Sequence, residues 1–383
     1  MWSGLHPVTP FSAGLMVAKA VKAGNNLAGI KLVAPGLNVK ITEPMSVAIE
    51  SRKPLRMVAC RGCGAKIFIP GELPPLATTA CSKCGHELMM PMQLRQFELR
   101  SPIASGGMGT VYRSFDVNLE REVAVKLMKR ELKEDPQALE SFYREARAAA
   151  ALNHTNIIHI YTFDEYEGQL YLVMELADAG SLDSRIEREK RVPELDILDI
   201  GIKVASALAS ALKHNLLHRD IKPGNILFND EGEPKLIDFG LARKAEGHND
   251  DETTIWGTPY YIAPEKVKRE REDFLSDMYS LAGTLYHAVT GSVPFEAPTV
   301  EAVVAAHIHT PLTPPNQVVP EISQPSSDAL ARAMAKNPAE RFQSYDEFIM
   351  ALEAARSQLL VNQLRGQAAT AVGARGGKSW WRR

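Results

Sequence analysis

The chain has 383 residues, of which 45% are hydrophobic and 23% charged, a composition that excludes wholesale disorder, collagen and a small disulfide scaffold. Its 44 basic and 46 acidic side chains give a net charge of -2, so overall charge provides no strong signal for nucleic-acid binding. No run of about 18 predominantly apolar residues occurs, and we therefore expect no transmembrane helix. Residues 1–56 show no sustained hydrophobic period and are left unassigned, with disorder as the compositional alternative.

Four cysteines follow in two Cys-x-x-Cys pairs, Cys60 with Cys63 and Cys81 with Cys84, separated by 17 residues. Each pair turns two thiolates toward one point, and two pairs complete the tetrahedral sulfur site that Zn²⁺ prefers. We predict a structural zinc ribbon over residues 57–91. Free thiols or a redox role is the alternative, but a thioredoxin-like role would need a surrounding βαβ pattern. This cysteine usage favours a reducing, cytoplasmic compartment.

Beyond residue 97 the hydrophobic pattern is that of a packed domain with both helices and strands. Runs of β-branched and apolar residues predict strands at 123–126, 170–176, 225–228 and 235–237. Apolar residues at helical spacing predict helices at 136–151, 197–212 and 278–289. Gly291 is the expected C-cap of the last of these helices.

Three features before residue 151 are ambiguous when each is taken alone. A glycine-rich segment at 104–112 would let backbone N–H groups approach phosphate oxygens, although a plain hairpin turn explains it equally well. Lys126 lies on a predicted strand and needs a carboxylate partner or a polyanionic ligand. Glu145 on the following helix is a candidate partner, with an ordinary surface charge as the alternative.

A third group of residues decides between these interpretations. It comprises His218-Arg219-Asp220-Ile221-Lys222-Pro223-Gly224-Asn225, then Asp238-Phe239-Gly240, then Ala263-Pro264-Glu265. With the glycine-rich segment, Lys126 and Glu145, this ordered set resembles the signature of eukaryotic-type protein kinases, and specifically the bacterial Ser/Thr kinases of that type. The resemblance implies an α+β, bilobal protein-kinase fold at 94–356, with a β-rich small lobe at 94–176 and a helical large lobe at 177–356.

The resemblance also implies roles in ATP-dependent phosphoryl transfer. Lys126 would hold the α- and β-phosphates, and Glu145 would orient Lys126. Asp220 would accept the proton of the substrate hydroxyl. Lys222 would reach the γ-phosphate, which favours Ser/Thr over Tyr substrates, and Thr258 would tie Asp220 to Lys222.

The same resemblance places the nucleotide and its metal ions between the two lobes. Asn225 and Asp238 would hold two Mg²⁺ (or Mn²⁺) ions through oxygen atoms. The implied ATP-binding positions are Ala104, Ser105, Gly106, Gly107, Gly109, Val111, Ala124, Lys126, Met174, Glu175, Ala177 and Leu227.

Other matching positions are expected to be architectural. Glu265 and Arg341 match a buried ion pair, and Asp277 matches the residue that braces the catalytic loop. The stacked apolar spine would contain His218, Phe239, Ile160 and Ala149. Two positions depart from the family pattern, because Ala104 replaces the first glycine of the loop and Ala149 is smaller than the usual spine residue. We expect a modest effect of Ala104 on ATP affinity.

The segment between Asp238 and Glu265 contains candidate sites for a phosphorylation switch. Arg219 directly precedes Asp220, and kinases of this type often neutralise that arginine with a phosphate. Thr253 and Thr254 are the candidate autophosphorylation sites. Solvated loop threonines are the alternative.

The main hypothesis is therefore a signalling Ser/Thr protein kinase with unidentified protein substrates and a kinase-domain dimer for trans-autophosphorylation. The first alternative is a nucleotide-binding pseudokinase scaffold with the zinc ribbon as its partner-docking module. The second is a ribbon that reads nucleic acid or a partner, although its basic residues are too few to favour nucleic acid. Residues 357–383 are expected to form a flexible basic tail, with membrane contact through its Trp-Arg end as the alternative.

Overall fold

The structure is a computed structural model that describes residues 56–69, 73–107, 109–239, 243–244 and 259–375. Residues 1–55 lie outside this set, as do the activation-segment residues Thr253, Thr254 and Thr258. The backbone of the helix that carries Glu145 and Ala149 is described, but their side chains are outside the described set.

The cysteine segment consists of two short antiparallel hairpins. Its strands are β1 (Arg56–Ala59), β2 (Lys66–Ile69), β3 (Thr78–Ala80) and β4 (Glu87–Met89). Cys60 and Cys81 are buried together with Ile69, Leu88 and Met90 in a small apolar cluster. So small a cluster is insufficient to hold a fold by itself, which is typical of segments that depend on a metal ion.

The small lobe is built on a six-stranded antiparallel sheet with the order β5-β6-β7-β8-β10-β9. Its strands are β5 (Met92–Leu94), β6 (Phe97–Ser105), β7 (Gly109–Asp116), β8 (Arg121–Met128), β9 (Ile160–Tyr166) and β10 (Gln169–Met174). The strands predicted at 123–126 and 170–176 are confirmed. The second ends earlier than predicted, because the chain leaves the sheet at Glu175, whose N–H donates to the His159 carbonyl oxygen at 2.8 Å.

Helix α1 (Pro136–Ala150) packs on this sheet and confirms the predicted helix. Its apolar face contributes Phe142 and Ala146, which are 1% and 4% exposed, to a cluster with Leu170 and Leu172 of β10. The spacing of these residues by four positions places them on one face of the helix, which explains why the period was visible in the sequence.

The large lobe is mostly helical and contains the largest core of the described residues. Its helices are α2 (Leu182–Glu189), α3 (Glu194–Lys213), α4 (Pro264–Val267), α5 (Phe274–Thr290), α6 (Val300–His309), α7 (Pro315–Val318), α8 (Gln324–Ala333) and α9 (Tyr345–Arg375). Helices α3 and α5 confirm two predictions. Gly291 ends α5 with a φ of 77°, the left-handed conformation that glycine adopts without steric cost.

Short strands of the large lobe lie beside the cleft. They are β11 (Leu216–Leu217), β12 (Ile226–Phe228), β13 (Pro234–Leu236) and β14 (Arg243–Lys244). Antiparallel pairing of β12 with β13 confirms the two strands predicted there to within one residue at their ends. A 3₁₀ turn over Pro223–Asn225 precedes β12.

The C-terminal segment differs from the flexible tail expected from residue 357, because α9 continues to Arg375. Residues 357–375 are rich in Ala, Leu, Gln and Arg, which are strong helix formers, and Gly366 does not end the helix. Leu364 is 66% exposed on this extension. Among the described residues, no helix combines the length and the apolar character that crossing a membrane requires.

Candidate active site and cysteine centre

The glycine-rich segment forms the turn between β6 and β7 at the edge of the cleft. Ser105 pairs with Thr110, and the Gly106 N–H donates to the Gly109 carbonyl oxygen at 2.9 Å. A Cβ at Gly109 would lie 2.1 Å from the Leu127 carbonyl oxygen, so only glycine fits this approach of β7 to β8. A Cβ at Gly107 would meet nothing within 4 Å. Ala104 pairs with Val111 and is exposed, so its methyl group causes no clash within the protein.

Lys126 lies half-buried on β8, on the strand next to this loop. Its ammonium nitrogen is 5.8 Å from the ring centroid of Phe142, a buried residue of α1. Val111 and Lys126 are directly opposite each other in the β7–β8 pair, and Ala124 is opposite Met174 in the β8–β10 pair. The structure thus groups the predicted adenine and phosphate positions of the small lobe on neighbouring strands.

The segment after Met174 connects the two lobes. Glu175 accepts from the His159 N–H at 3.3 Å and pairs with Lys235 at 2.5 Å through its carboxylate. Lys235 belongs to β13 of the large lobe and is 7% exposed, so this ion pair ties the connecting segment to the large lobe. Ala177 is buried two residues later, and Leu227 of β12 is half-buried on the large-lobe side of the cleft.

The loop that follows β11 brings Lys222 and Asn225, a predicted catalytic residue and a predicted metal ligand, to the carboxylate of Asp220. Lys222 Nζ donates to Asp220 Oδ2 at 2.6 Å. Asn225 Nδ2 donates to the same oxygen at 3.0 Å and to the Asp220 backbone carbonyl oxygen at 2.8 Å. The side-chain oxygen of Asn225 is an atom that could bind a hard cation. These charge-assisted contacts fix the orientation of the Asp220 carboxylate.

Asp277 of α5 holds this loop from below. Its carboxylate accepts the backbone N–H groups of His218 and Arg219 at 2.7 and 2.8 Å. Arg219 has a φ of 67°, a conformation that is costly outside glycine and that these two hydrogen bonds stabilise. Burial raises the pKa of Asp277, against the lowering influence of His218 and the two N–H donors.

Asp238 is brought beside Asn225 by the strand pairing behind the loop. The Ile237 N–H donates to the Asn225 carbonyl oxygen at 3.0 Å, and Asp238 itself has a φ of 68°. The next residue, Phe239, is fully buried with its ring centroid 4.7 Å from that of His218. The buried Phe239 therefore fixes the position of the backbone directly after the exposed Asp238.

Two ion pairs lie near the loop, one fully buried and one partly exposed. Arg341 is 0% exposed and contacts both Glu265 oxygens, at 2.7 and 2.8 Å. Arg219 pairs with Glu272 at 3.8 Å, and both side chains are 10% exposed. Arg219 Nε is buried without a hydrogen-bond partner among the described residues, so this contact is weaker than the first.

The four cysteines meet at one point in the ribbon, with all four sulfur atoms within 4.8 Å of one another. Cys60 and Cys84 are 3.5 Å apart and Cys63 and Cys81 are 3.9 Å apart, measured between sulfur atoms. Sulfur ligands at a tetrahedral Zn²⁺ lie about 3.8 Å apart, because each Zn–S bond is about 2.3 Å. The donor set and its size therefore fit a zinc ion.

The two cysteine turns have matching backbones, which explains their shared glycine. The Gly64 N–H donates to the Cys60 carbonyl oxygen and the Gly85 N–H to that of Cys81, at 2.7 and 2.9 Å. Both glycines have a positive φ, of 70° and 75°. The Lys83 N–H lowers the pKa of Cys81 to about 7. The His86 N–H acts in the same direction on Cys84, but desolvation and the neighbouring thiols outweigh it and raise its pKa to about 12. A bound cation would favour the thiolate at all four positions.

Several positions near the site were not predicted from the sequence. They are Lys235, Glu272 and Asp178, each of which forms an ion pair with a residue far away in the sequence. Strand β5 was also missed, because its three residues show no period of their own.

A curled antiparallel sheet, a helical lobe and a cleft containing Asp220, Asn225 and Asp238 define the protein kinase class of fold. The chain belongs to this family: the model of the protein kinase domain matches residues 97–354. The chain is 37% identical over 268 residues to the serine/threonine-protein kinase PknA of Mycobacterium tuberculosis, and the match covers 68% of this chain and 62% of that protein. It is 35% identical to a probable serine/threonine-protein kinase of Clostridium perfringens, covering 67% and 38% of the two chains. The match to PknB of Mycobacterium leprae is 34% identical and covers 66% and 42%. The matched part of this chain thus spans between 38% and 62% of these relatives.

Proposed function

We propose that this protein is a serine/threonine kinase that transfers the γ-phosphate of ATP to protein hydroxyl groups in a signalling process. The carrying observation is the Asp220 carboxylate held by Lys222 at 2.6 Å and by Asn225 at 3.0 Å. The relatives PknA and PknB are named serine/threonine-protein kinases, which supports the same assignment. The test is transfer of phosphate from Mg·ATP to Ser/Thr peptides, read by mass spectrometry.

In the proposed reaction the substrate hydroxyl donates a hydrogen bond, and then its proton, to Asp220. Lys222 stabilises the charge on the γ-phosphate as the oxygen–phosphorus bond forms and the bond to ADP breaks. A lysine two residues after the catalytic aspartate supports Ser/Thr rather than Tyr substrates. Lys126 binds the α- and β-phosphates, and Glu145 of α1 orients it.

The cleft positions support binding of ATP with Mg²⁺ or Mn²⁺. The adenine ring would lie among Val111, Ala124, Leu227 and the backbone of Glu175 and Ala177. Asn225 and Asp238 supply the oxygen ligands that hard cations prefer, and the ions would neutralise phosphate charge during transfer.

We further propose that the cysteine centre is a structural zinc site. Replacing Cys60, which is 1% exposed, with Ser should reduce bound zinc from one ion to none per chain, and should lower the thermal midpoint of the ribbon. Elemental analysis and calorimetry measure the two effects. His86→Gln is the matched control, since His86 is exposed beside the cluster but four cysteines complete the ligand set. Full zinc retention in Cys60→Ser would contradict the assignment.

A phosphorylation switch at Thr253 or Thr254 is part of the proposal. Arg219, now 3.8 Å from Glu272, would exchange this weak contact for a phosphate of about -2 charge. Replacing both threonines with Ala should lower the activity of ATP-treated protein to that of untreated protein. Unchanged activity in the double variant would rule out this switch.

Assignments beyond the kinase domain follow from the same proposal. Catalysis belongs to residues 94–356 and zinc binding to residues 57–91. A cytoplasmic location fits a chain whose cysteines form two Cys-x-x-Cys pairs. A kinase-domain dimer for trans-autophosphorylation fits a Ser/Thr kinase. The alternative is the pseudokinase scaffold, which the same assay tests: nucleotide binding without any phosphate transfer would favour it.

A further inference from the structure

The cysteine ribbon is joined to the small lobe by more than a linker. Strand β5 adds to the edge of the six-stranded sheet, with Met92 opposite Leu99 and Leu94 opposite Phe97. Met89, the last residue of the ribbon hairpin, is 3% exposed and belongs to the same apolar cluster as Leu94 and Phe97. Ribbon and sheet therefore share a core, and a change in one is transmitted to the other by packing.

A second connection runs through charged residues. Arg61 lies inside the first cysteine turn, between two proposed zinc ligands, and its Nη2 is 3.1 Å from Asp178 Oδ2. Asp178 directly follows Ala177 of the connecting segment. Its side chain is 8% exposed, so its charge needs cationic partners. Arg113 of β7 is the second partner, bound to the same Asp178 oxygen.

These contacts belong to a chain of alternating charges that runs from the ribbon across the sheet of the small lobe. In order, the chain is Arg61, Asp178, Arg113, Glu122, Arg100 and Glu98. Every member of this chain except Asp178 lines a cavity of about 350 Å³ between the ribbon and the sheet. Every arginine in the chain already has an acidic partner, so the cavity does not offer an unpaired cation to an anionic ligand.

Arg113 connects this chain to the nucleotide cleft. It lies two residues after Val111 on the same face of β7, and it is directly opposite Ala124 of β8. Val111 and Ala124 are the proposed adenine positions of the small lobe. Asp178 thus forms ion pairs with Arg61 of the proposed zinc site and with Arg113 beside the proposed adenine position.

We infer that the ribbon is a metal-dependent clamp on the kinase cleft, in which Arg61 couples zinc binding to nucleotide binding through Asp178 and Arg113. Arg61 lies in the turn between Cys60 and Cys63. A bound metal ion would hold both cysteine side chains in place, and it would thereby also position the turn that carries Arg61. Nucleotide bound at Val111, Ala124 and Ala177 would contact the strand of Arg113 and the segment of Asp178. Each ligand therefore favours the arrangement that the other needs, and the coupling is reciprocal.

The expected size of the coupling between zinc binding and nucleotide binding follows from the solvent exposure of the side chains that connect the two sites. Arg61 is 53% exposed, and ion pairs of that kind are individually weak. Asp178 is largely buried and shared with Arg113, which strengthens the contact. We expect saturating Mg·ADP to slow zinc release about fivefold, the lower end of measured couplings between sites.

The inference rests on the proposed nucleotide and zinc sites, and its test uses the full chain loaded with zinc. Zinc release to a chromogenic chelator is timed with and without Mg·ADP, and ADP affinity is measured separately by calorimetry. Wild type should show the fivefold effect. Arg61→Gln should keep its zinc but lose the effect of ADP. Lys83→Gln, a change of one basic residue in the second cysteine turn, is the matched control and should behave as wild type.

Asp178→Asn provides a second variant that leaves both cysteine turns untouched, and it should lose the coupling as Arg61→Gln does. An undiminished ADP effect in both variants overturns the inference. The inference is also overturned if wild type binds ADP but ADP does not slow its zinc release. That result leaves the proposed kinase function intact. Failure of wild type to bind ADP at all would overturn both together.

Discussion

Replacing Asp220 with Asn is expected to lower phosphoryl transfer by about 10²- to 10⁴-fold, while ADP affinity stays within about twofold of wild type. The amide keeps the size of the side chain but cannot accept the proton of the substrate hydroxyl. Lys222 and Asn225 both donate to Asp220 Oδ2, so the carboxylate is also the charge that orders this loop. Single-turnover transfer to a Ser peptide measures the loss.

A matched control separates catalysis from folding in this test. Asp183 is an exposed acid in the first turn of α2, and changing it to Asn removes none of the hydrogen bonds described for the loop. Asp183→Asn should transfer phosphate at the rate of wild type. Transfer by Asp220→Asn at more than a tenth of the wild-type rate would show that this carboxylate is not the base.

Replacing Arg341 with Met is expected to lower the free energy of unfolding by about 3–5 kcal/mol. The variant leaves Glu265, which is 4% exposed, as a buried charge without its guanidinium partner. Arg341 also donates to the carbonyl oxygens of Leu275 and Ala335 at 2.8 and 2.9 Å, so two backbone acceptors lose a donor as well. Urea unfolding followed by far-ultraviolet circular dichroism measures the loss.

The pH dependence of this difference identifies its cause. Burial alone would raise the pKa of Glu265, but the hydrogen bonds and charge of Arg341, with Ser276, outweigh it and lower the pKa. The contribution of the pair is therefore complete above the ordinary glutamate pKa. It is lost as the pH falls through the lowered pKa of the folded protein. The difference between wild type and Arg341→Met should shrink accordingly in acid.

Arg332→Met is the control for this second prediction. Arg332 is exposed on α8, its guanidinium carbon is 4.2 Å from the ring centroid of Phe342, and it has no buried acidic partner among the described residues. Its loss should cost about 1 kcal/mol or less. Equal losses in the two arginine variants would show that the buried pair has no special role in stability.

The parts of the fold that could be predicted are those whose signal is local. The spacing of Leu139, Phe142 and Ala146 is a helical period within a few turns, and α1 follows it. The end of α5 could be placed because Gly291 adopts a φ of 77°. The catalytic loop was visible because His218 to Asn225 are contiguous in the sequence.

The parts that could not be predicted depend on contacts between distant residues. Arg61 and Asp178 are 117 residues apart, and neither position carries a local pattern that points to the other. The pairing of Lys235 with Glu175 is of the same kind. Strand β5 acquires its structure from the edge of β6, and α9 continues to Arg375 through a run that composition alone suggested was loose.

The most direct test of the central claim is incubation of the full wild-type chain with Mg·ATP and a mixture of Ser, Thr and Tyr peptides, followed by mass spectrometry. We expect phosphoserine and phosphothreonine to accumulate in the wild-type reaction and to be absent with Asp220→Asn. A wild-type chain that binds ADP but transfers no phosphate, or that phosphorylates only tyrosine, would contradict the assignment as a Ser/Thr kinase.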